Sequence, residues 1–260
     1  MTLTRGVILP SSTAVGGGIL AQARPLPDGW ETGIDFATEA CLIAGEHLFC
    51  PTSPADKEFQ TTELAEFKAF GIEVSVVCTT LGGERARTER ESRASQALSV
   101  VDEFSVGFVL ATGETQAGND TGNPALVDAT DVGNGSSVTD AISQLEGVIA
   151  LTLQGHLAWV HITPQDLVTA YAEQAIYLDD LGSWRTPSGH LVVSSPGYTE
   201  AIAGEIVATT EVFASRGGIE LTRTVDRTDN RYLAVHEALA LAVFDPCFNV
   251  SVDLPAVSPP

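Results

Sequence analysis

Positive charge is scarce in this 260-residue sequence: 13 lysines and arginines face 34 aspartates and glutamates, a formal net charge of −21, and lysine occurs only at Lys57 and Lys68. Sequence-reading contact with DNA or RNA needs a basic footprint that displaces counterions, so nucleic-acid recognition is disfavoured. Long apolar runs are missing as well, and no stretch approaches the ~20 residues that cross a bilayer. The apolar pieces Gly6–Leu9 and Gly18–Leu20 behind Arg5 imitate a signal peptide, but Pro10, Ser11, Ser12, Thr13 and the Gly16–Gly18 run break them. A retained, extended N-terminal arm is expected instead. The four cysteines, Cys41, Cys50, Cys78 and Cys247, form no CxxC pair and no zinc-ligand spacing. Cys41 and Cys50 could close a small loop, yet a chain of this length does not need staples, and reduced cysteines are expected.

Catalytic signatures are absent too. The sequence holds no GxSxG elbow, no phosphate-cradling GxxxxGK[ST], no HExxH and no dinucleotide fingerprint, so those mechanisms lack their parts. Of the five histidines, His156 and His161 could meet Asp166 at a metal, but their spacing matches no ligand motif and ordinary strand histidines explain them. Asp128, Asp131 and Asn134 have a calcium-loop flavour without the spacing or the closing glutamate, which reads as a solvated turn. Asp179 and Asp180 are adjacent and point apart, the wrong geometry for shared acid–base work. The expectation is a protein that is not an enzyme and takes no cofactor and no metal.

What is present is a folded composition: 44% hydrophobic and 18% charged residues with a mean hydropathy of +0.14, far from the signature of disorder. The acidity serves solubility, or keeps the surface from sticking to polyanions packed beside it. Residues 1 to 36 are too rich in turn formers for a regular domain, and Arg24-Pro25-Leu26-Pro27-Asp28-Gly29-Trp30 forces an extended path and a turn. Trp30 needs a covering neighbour, which could lie on another copy. Two strands, Leu42–Phe49 and Phe67–Thr79, flank a polar middle in a long hairpin that needs external support, and Ile72, Val74, Val76 and Cys78 alternate as in a half-buried strand.

A long helix is predicted from Glu84 to about Ala111. Its first half is laced by Arg85, Glu89 and Arg93 at (i, i+4), a solvated face rather than a ligand site, and its second half carries a stripe of Ala94, Ala97, Leu98, Val101, Phe104 and Phe108. Gly113 to Ser137 reads as a loop. Ser137-Val138-Thr139-Asp140 opens a second helix whose Ile142, Leu145, Val148 and Ile149 share a face. A strand at Leu157–Ile162 precedes Thr163-Pro164-Gln165-Asp166, a helix start with threonine cap and proline at the first position. Strands are expected at His190–Ser194, Ile206–Ala214, Ile219–Val225 and Phe248–Leu254; the alanines of Tyr232–Phe244 also suit a helix, but its two apolar sets favour a long strand covered on both faces.

This order of elements resembles the capsid-protein fold shared by tailed-phage heads and encapsulin compartments. The segments Gly155–Pro164 leading to Thr186–Val193, and Asn230–Leu254 with Asp245-Pro246-Cys247-Phe248, are similar to structural proteins of actinobacterial phages. The resemblance implies an α+β capsid fold: an N-terminal arm (1–36), an extended hairpin (37–82), a peripheral domain with a long spine helix and long strands (83–125 and 205–244), and an α/β axial domain (126–204 and 245–260). It implies a major capsid protein that assembles into hexamers and pentamers of an icosahedral virion enclosing double-stranded DNA, built in the host cytoplasm, not at a membrane. Its partners would be other copies of itself, a separate scaffolding protein, decoration and portal proteins, and DNA without sequence recognition. Trp30, Lys57, Phe59 and Lys68 are the expected inter-subunit contacts; a solvated lysine is the plain reading of Lys57. Rival readings are a pentamer-specific subunit, a tail-tube or connector protein, an encapsulin-like shell, or a small hydrolase with an unrecognised site.

Overall fold

The computed structural model of the chain describes residues 18–37, 64–78, 84–226, 228 and 231–255. The arm opens with a one-turn helix, α1 (Ile19–Gln22), and a 3-10 turn at Trp30–Thr32. It ends in β1 (Ile34–Ala37), antiparallel to β2 (Leu64–Phe67) in the register Ile34↔Phe67. The expected second hairpin strand therefore divides: β2 closes the hairpin base, and after Lys68 and Ala69 the chain turns into β3 (Phe70–Cys78). The expected strand Leu42–Phe49 lies outside the described residues.

The spine is α2 (Glu84–Thr112), 29 residues and hence about 44 Å long. Its buried stripe runs through Ala94, Leu98, Asp102, Ser105, Val106, Val109 and Leu110. That stripe is rotated from the expected one. Ala97 is exposed, and Phe104 and Phe108 are half-buried, stacked on each other at 6.1 Å.

Beyond α2, the expected loop contains a strand, β4 (Thr130–Asn134), before α3 (Val138–Thr152), β5 (Trp159–Ile162) and α4 (Pro164–Ala172). The caps form as the sequence predicts: Ser137 Oγ accepts the Asp140 N–H and Thr163 Oγ1 accepts that of Asp166. Then come β6 (Tyr177–Leu178), β7 (Trp184–Arg185), β8 (Leu191–Ser194), the short α5 (Tyr198–Ala201) and β9 (Glu205–Thr209). The expected strand Ile206–Ala214 breaks after Thr209 and resumes as β10 (Phe213–Arg216), followed by β11 (Glu220–Asp226), β12 (Arg231–Val243) and β13 (Asn249–Asp253).

Two sheets result. One runs β4-β13-β9-β5-β8-β7-β6, so β9 lies beside β5 and β13 rather than with β11 and β12. Its faces are both covered: Val160, Ile162, Val192 and Ile206 pack under α3 and α4, while Trp159, Val193 and Val207 meet α2 and α5. Burial on two sides explains why these strands are apolar without alternation.

The other sheet is centred on β12. Residues 232–237 of β12 pair with both β3 and β11, so those strands flank it on opposite edges. β10 continues the β11 edge, and the register shifts by one residue between Arg216↔Ala240 and Glu220↔Glu237, a bulge built at Gly217-Gly218. The expectation that β12 is covered on both faces holds only for its end, where Ala240–Val243 are all buried; before that, exposed Glu237 and Leu239 alternate with buried His236 and Ala238.

Candidate functional site

Where the hairpin base, the arm and the spine helix converge, the polar side chains of the described residues are bound into backbone rather than gathered round a pocket. Trp30 is 7% exposed and lies with Phe67, Leu241 and Val243, flanked by Leu26, Ile34, Phe36 and Phe213. Its own chain supplies the cover that could have come from another copy. The arm from Gly18 onward is likewise folded on its own body: the Ala214 N–H donates to Arg24 O at 2.9 Å, the Leu26 N–H to Ser215 Oγ at 2.8 Å, and Arg24 pairs with Glu211 at 2.8 Å. Lys68 is exposed, 3.9 Å from Glu66. Lys57 and Phe59 lie outside the described residues.

The arm is held to α2 by one carboxylate. Glu103 accepts the backbone N–H groups of Ile19 at 2.5 Å and Leu20 at 3.1 Å. Gly18 is needed for this approach, because a Cβ there would stand 2.6 Å from the carboxylate oxygen. Burial raises the Glu103 pKa above the usual carboxylate range, and the neighbouring charge of Asp102 adds to it against the two amide donors. Asp102 itself is ion-paired to Arg216 of β10, so successive acids on the helix bind two different elements.

At the other end of the sheet Glu91 of α2 takes a two-pronged bond from Arg223, at 2.8 and 2.9 Å, and the hydroxyl of Tyr232. The arginine bonds, then the tyrosine bond, hold its pKa down at about 2. Arg87 stacks over the same tyrosine, 5.4 Å from its ring centre.

His161 is fully buried between sheet and spine. Its Nε2 lies 2.9 Å from Thr209 Oγ1 and its Nδ1 2.9 Å from Tyr198 Oη. The Thr209 hydroxyl donates to Thr210 O, so it accepts from an Nε2–H, and Tyr198 donates to Nδ1. Burial pushes this imidazole down to about 3 and the tyrosine well above its ordinary value. His161 is thus a neutral structural link and does not meet His156 or Asp166. Asp166 accepts the hydroxyl of Thr163, the residue that caps α4, Asp128 bonds the Ala125 N–H and Asp131 that of Gly133; no group of three potential metal ligands occurs among the described residues. Asp179 is also structural, paired with Arg185 at 2.6 Å. Cys247 is disulfide-bonded, which corrects the expectation of reduced cysteines.

A groove of about 870 Å³ runs between the arm, Phe36, the Thr152–Ala158 turn and Phe213. Of its charged walls, Arg24 and Glu211 neutralise each other and Arg185 is committed to Asp179.

Glu103, Asp102, Asn123 and the His161–Tyr198–Thr209 chain were not legible as sites. Glu103 and Asp102 sit in a helical run like any other acids, and the partners of His161 come from β9 and α5, distant in sequence.

No protein-family profile matches the sequence, and no curated protein matches it significantly. Solved structures do. Against Gordonia phage Cozz the TM-score is 0.59 at 14% identity, covering 98% of this chain and 92% of that one. The capsid of an empty GTA particle gives 0.61 at 12%, covering 98% and 95%, and Mycobacterium phage Ogopogo 0.56 at 13%, covering 97% of each. The chain has the phage capsid-protein fold. At these identities the likeness is one of architecture, over almost the whole length of the chain.

Proposed function

We propose that the chain is the structural subunit of an icosahedral phage head, assembled as hexamers and pentamers of itself around double-stranded DNA. The single observation that carries this is the agreement with capsid structures over 97–98% of the chain, with 92–97% of each of those chains covered in return. A subunit of this kind forms a shell through many modest, repeated contacts whose sum is large. The charge of −21 supports a wall against which packed DNA slides rather than adheres.

In this reading residues 1–36 are the arm and 37–82 the extended hairpin, anchored at the β1–β2 base. The layer of α2 on β3, β12 and β11 is the peripheral domain, and the seven-stranded sheet with α3 and α4 is the axial domain at capsomer centres. Scaffolding, portal and decoration proteins are further partners; one solved structure with this fold pairs major capsid proteins of phage G with decoration proteins. No catalysis and no cofactor are assigned.

The test is the native mass and shape of the purified chain, by sedimentation and electron microscopy, alone and with a scaffolding protein. Closed icosahedral particles of megadalton mass are expected. Cylinders would turn the reading to a tail tube, and an active monomer in dilute solution would overturn it.

A further inference from the structure

One face of the sheet of β3, β12 and β11 rests on α2. The opposite face is covered at one end alone among the described residues, where Leu241 and Val243 lie under Trp30 and Phe67. Beyond that end no described residue covers the face. Strand register places Leu233, Val235, Glu237 and Leu239 of β12 on it, beside Val77, Ser75 and Glu73 of β3 and Thr224, Thr222 and Glu220 of β11. Val77 is 56% and Leu239 42% exposed.

Across this open face Glu73, Glu237 and Glu220 stand directly opposite one another on three adjacent strands, all exposed. Like charges in register destabilise a sheet, and the chain already carries a large negative excess. None of the three makes an ion pair among the described residues. The row therefore weakens the sheet and has no cationic counterpart among the described residues.

The chain holds positive charge on the reverse of the same layer. Four of its 13 basic residues fall between Arg85 and Arg93, in the first half of α2. Glu91, Ala94 and Leu98 turn toward the sheet, which leaves Arg90 on the flank and Arg93 on the back of the helix, both exposed. Arg93 is held at 2.7 Å by exposed Glu89, while Arg90 has no ion pair among the described residues.

Resting on the shell reading above, we propose that the open face of β3, β12 and β11 seats a second copy of the chain, whose α2 brings Arg90 and Arg93 to the Glu73–Glu237–Glu220 row with Val77 and Leu239 packing beside it. The open area, three strands wide and about seven residues long, is roughly 300 Å². That is well below the ~800 Å² per partner of a stable dimer, and suits one contact among several in a repeating assembly. The two mating surfaces lie on opposite sides of one helix-on-sheet layer, so the contact is head-to-tail and propagates from copy to copy, closing into a ring where the rotation allows.

The experiment measures, for the full chain, the fraction sedimenting as particles and the thermal midpoint of the unassembled subunit. Glu237→Gln is expected to raise the midpoint, because repulsion is relieved, and yet lower the assembled fraction. Glu237→Arg should reduce assembly by about tenfold or more, and adding Arg90→Glu or Arg93→Glu should restore it. Wild-type-level assembly of both Glu237 variants overturns the proposal, as does a loss that neither arginine reversal rescues. So does disassembly of the wild type by a chelator that Glu237→Gln no longer feels, which would make the row a divalent-cation site. Wild-type particles alongside any of these results leave the shell reading standing; no wild-type particles at all defeats both.

Discussion

The side-chain amide of Asn123 takes the place of a neighbouring strand for Lys68: it accepts the Lys68 N–H at 2.7 Å and donates to the Lys68 carbonyl at 3.0 Å. Lys68 is the first of two residues between β2, which belongs to the hairpin base, and β3, which belongs to the main sheet. Asn123 thereby fixes the point where the hairpin leaves the body. Asn123→Ala strands both backbone groups in a partly buried place and is expected to cost about 1–3 kcal/mol. Asn123→Asp keeps the acceptor, sets a carboxylate against the carbonyl, and should cost at least as much. Urea unfolding of the unassembled subunit measures both. Limited proteolysis should show earlier cleavage next to residue 68 in each variant, and an unchanged cleavage pattern would refute the anchoring role.

Legibility in the sequence follows the range of the interactions involved. The caps Ser137 and Thr163, the spine helix and the alternation of β3 depend on neighbours within a turn or a strand, and each forms where the residues place it. The open face of β12, the split at Lys68 and the coverage of Trp30 depend on which segment packs above. Tryptophan demands cover, but the pattern around Trp30 does not say that Phe67, Leu241 and Val243 provide it. The strand β4 was hidden for a similar reason: Thr130-Asp131-Val132-Gly133-Asn134 has turn composition, and its pairing to β13 supplies what propensity does not. Among the expected contact residues, Lys57 and Phe59 stand apart from anything the described residues address.

His161 makes stability depend on pH through a group that carries no charge in the folded state. Its folded pKa is lowered from 6.5 to about 3, so the unfolded chain takes up a proton first as pH falls. The contribution is whole above 6.5 and lost progressively toward about 3. Wild-type melting temperature should fall across that window. Imidazole NMR signals of folded His161 should stay in the neutral, Nε2-protonated form down to pH 5, and a native-state titration near 6.5 would contradict the assignment.

Glu91 acts at lower pH and in the same direction. The Arg223 bonds, with Tyr232 behind them, place its folded pKa at about 2 against 4.5 unpaired, so its contribution is complete above 4.5 and disappears as pH falls toward 2. Glu91→Gln should melt lower than wild type at pH 7 and should lose less on acidification from 4.5 to 3. Equal acid sensitivity of the two proteins would mean that the pair is screened to nothing by solvent.

Two glycines where the spine helix crosses the turn before α5 offer a test that separates backbone from side-chain crowding. A Cβ on Gly197 would lie 2.5 Å from the Phe104 carbonyl oxygen and 2.7 Å from the Gly107 carbonyl carbon, whereas a Cβ on Gly107 would meet the side chain of Ser195, with its Cβ at 2.6 Å. Gly197 has φ −65°, so alanine is strained there by space alone. Both Gly197→Ala and Gly107→Ala should destabilise by about 1–3 kcal/mol or more, since overpacking forces elements apart. The two should differ in repair. Ser195→Gly removes the obstacle to Gly107→Ala and should recover most of its loss, beyond the cost of the two lost Ser195 bonds, one donated to Glu103 O at 3.2 Å and one accepted from the Gly197 N–H at 3.3 Å. It should do nothing for Gly197→Ala, where the obstacle is helix backbone. Thermal midpoints of the two single and two double variants decide it: equal rescue of both would show that turn and helix can slide apart, and that this crossing is not the rigid joint between the axial sheet and the spine.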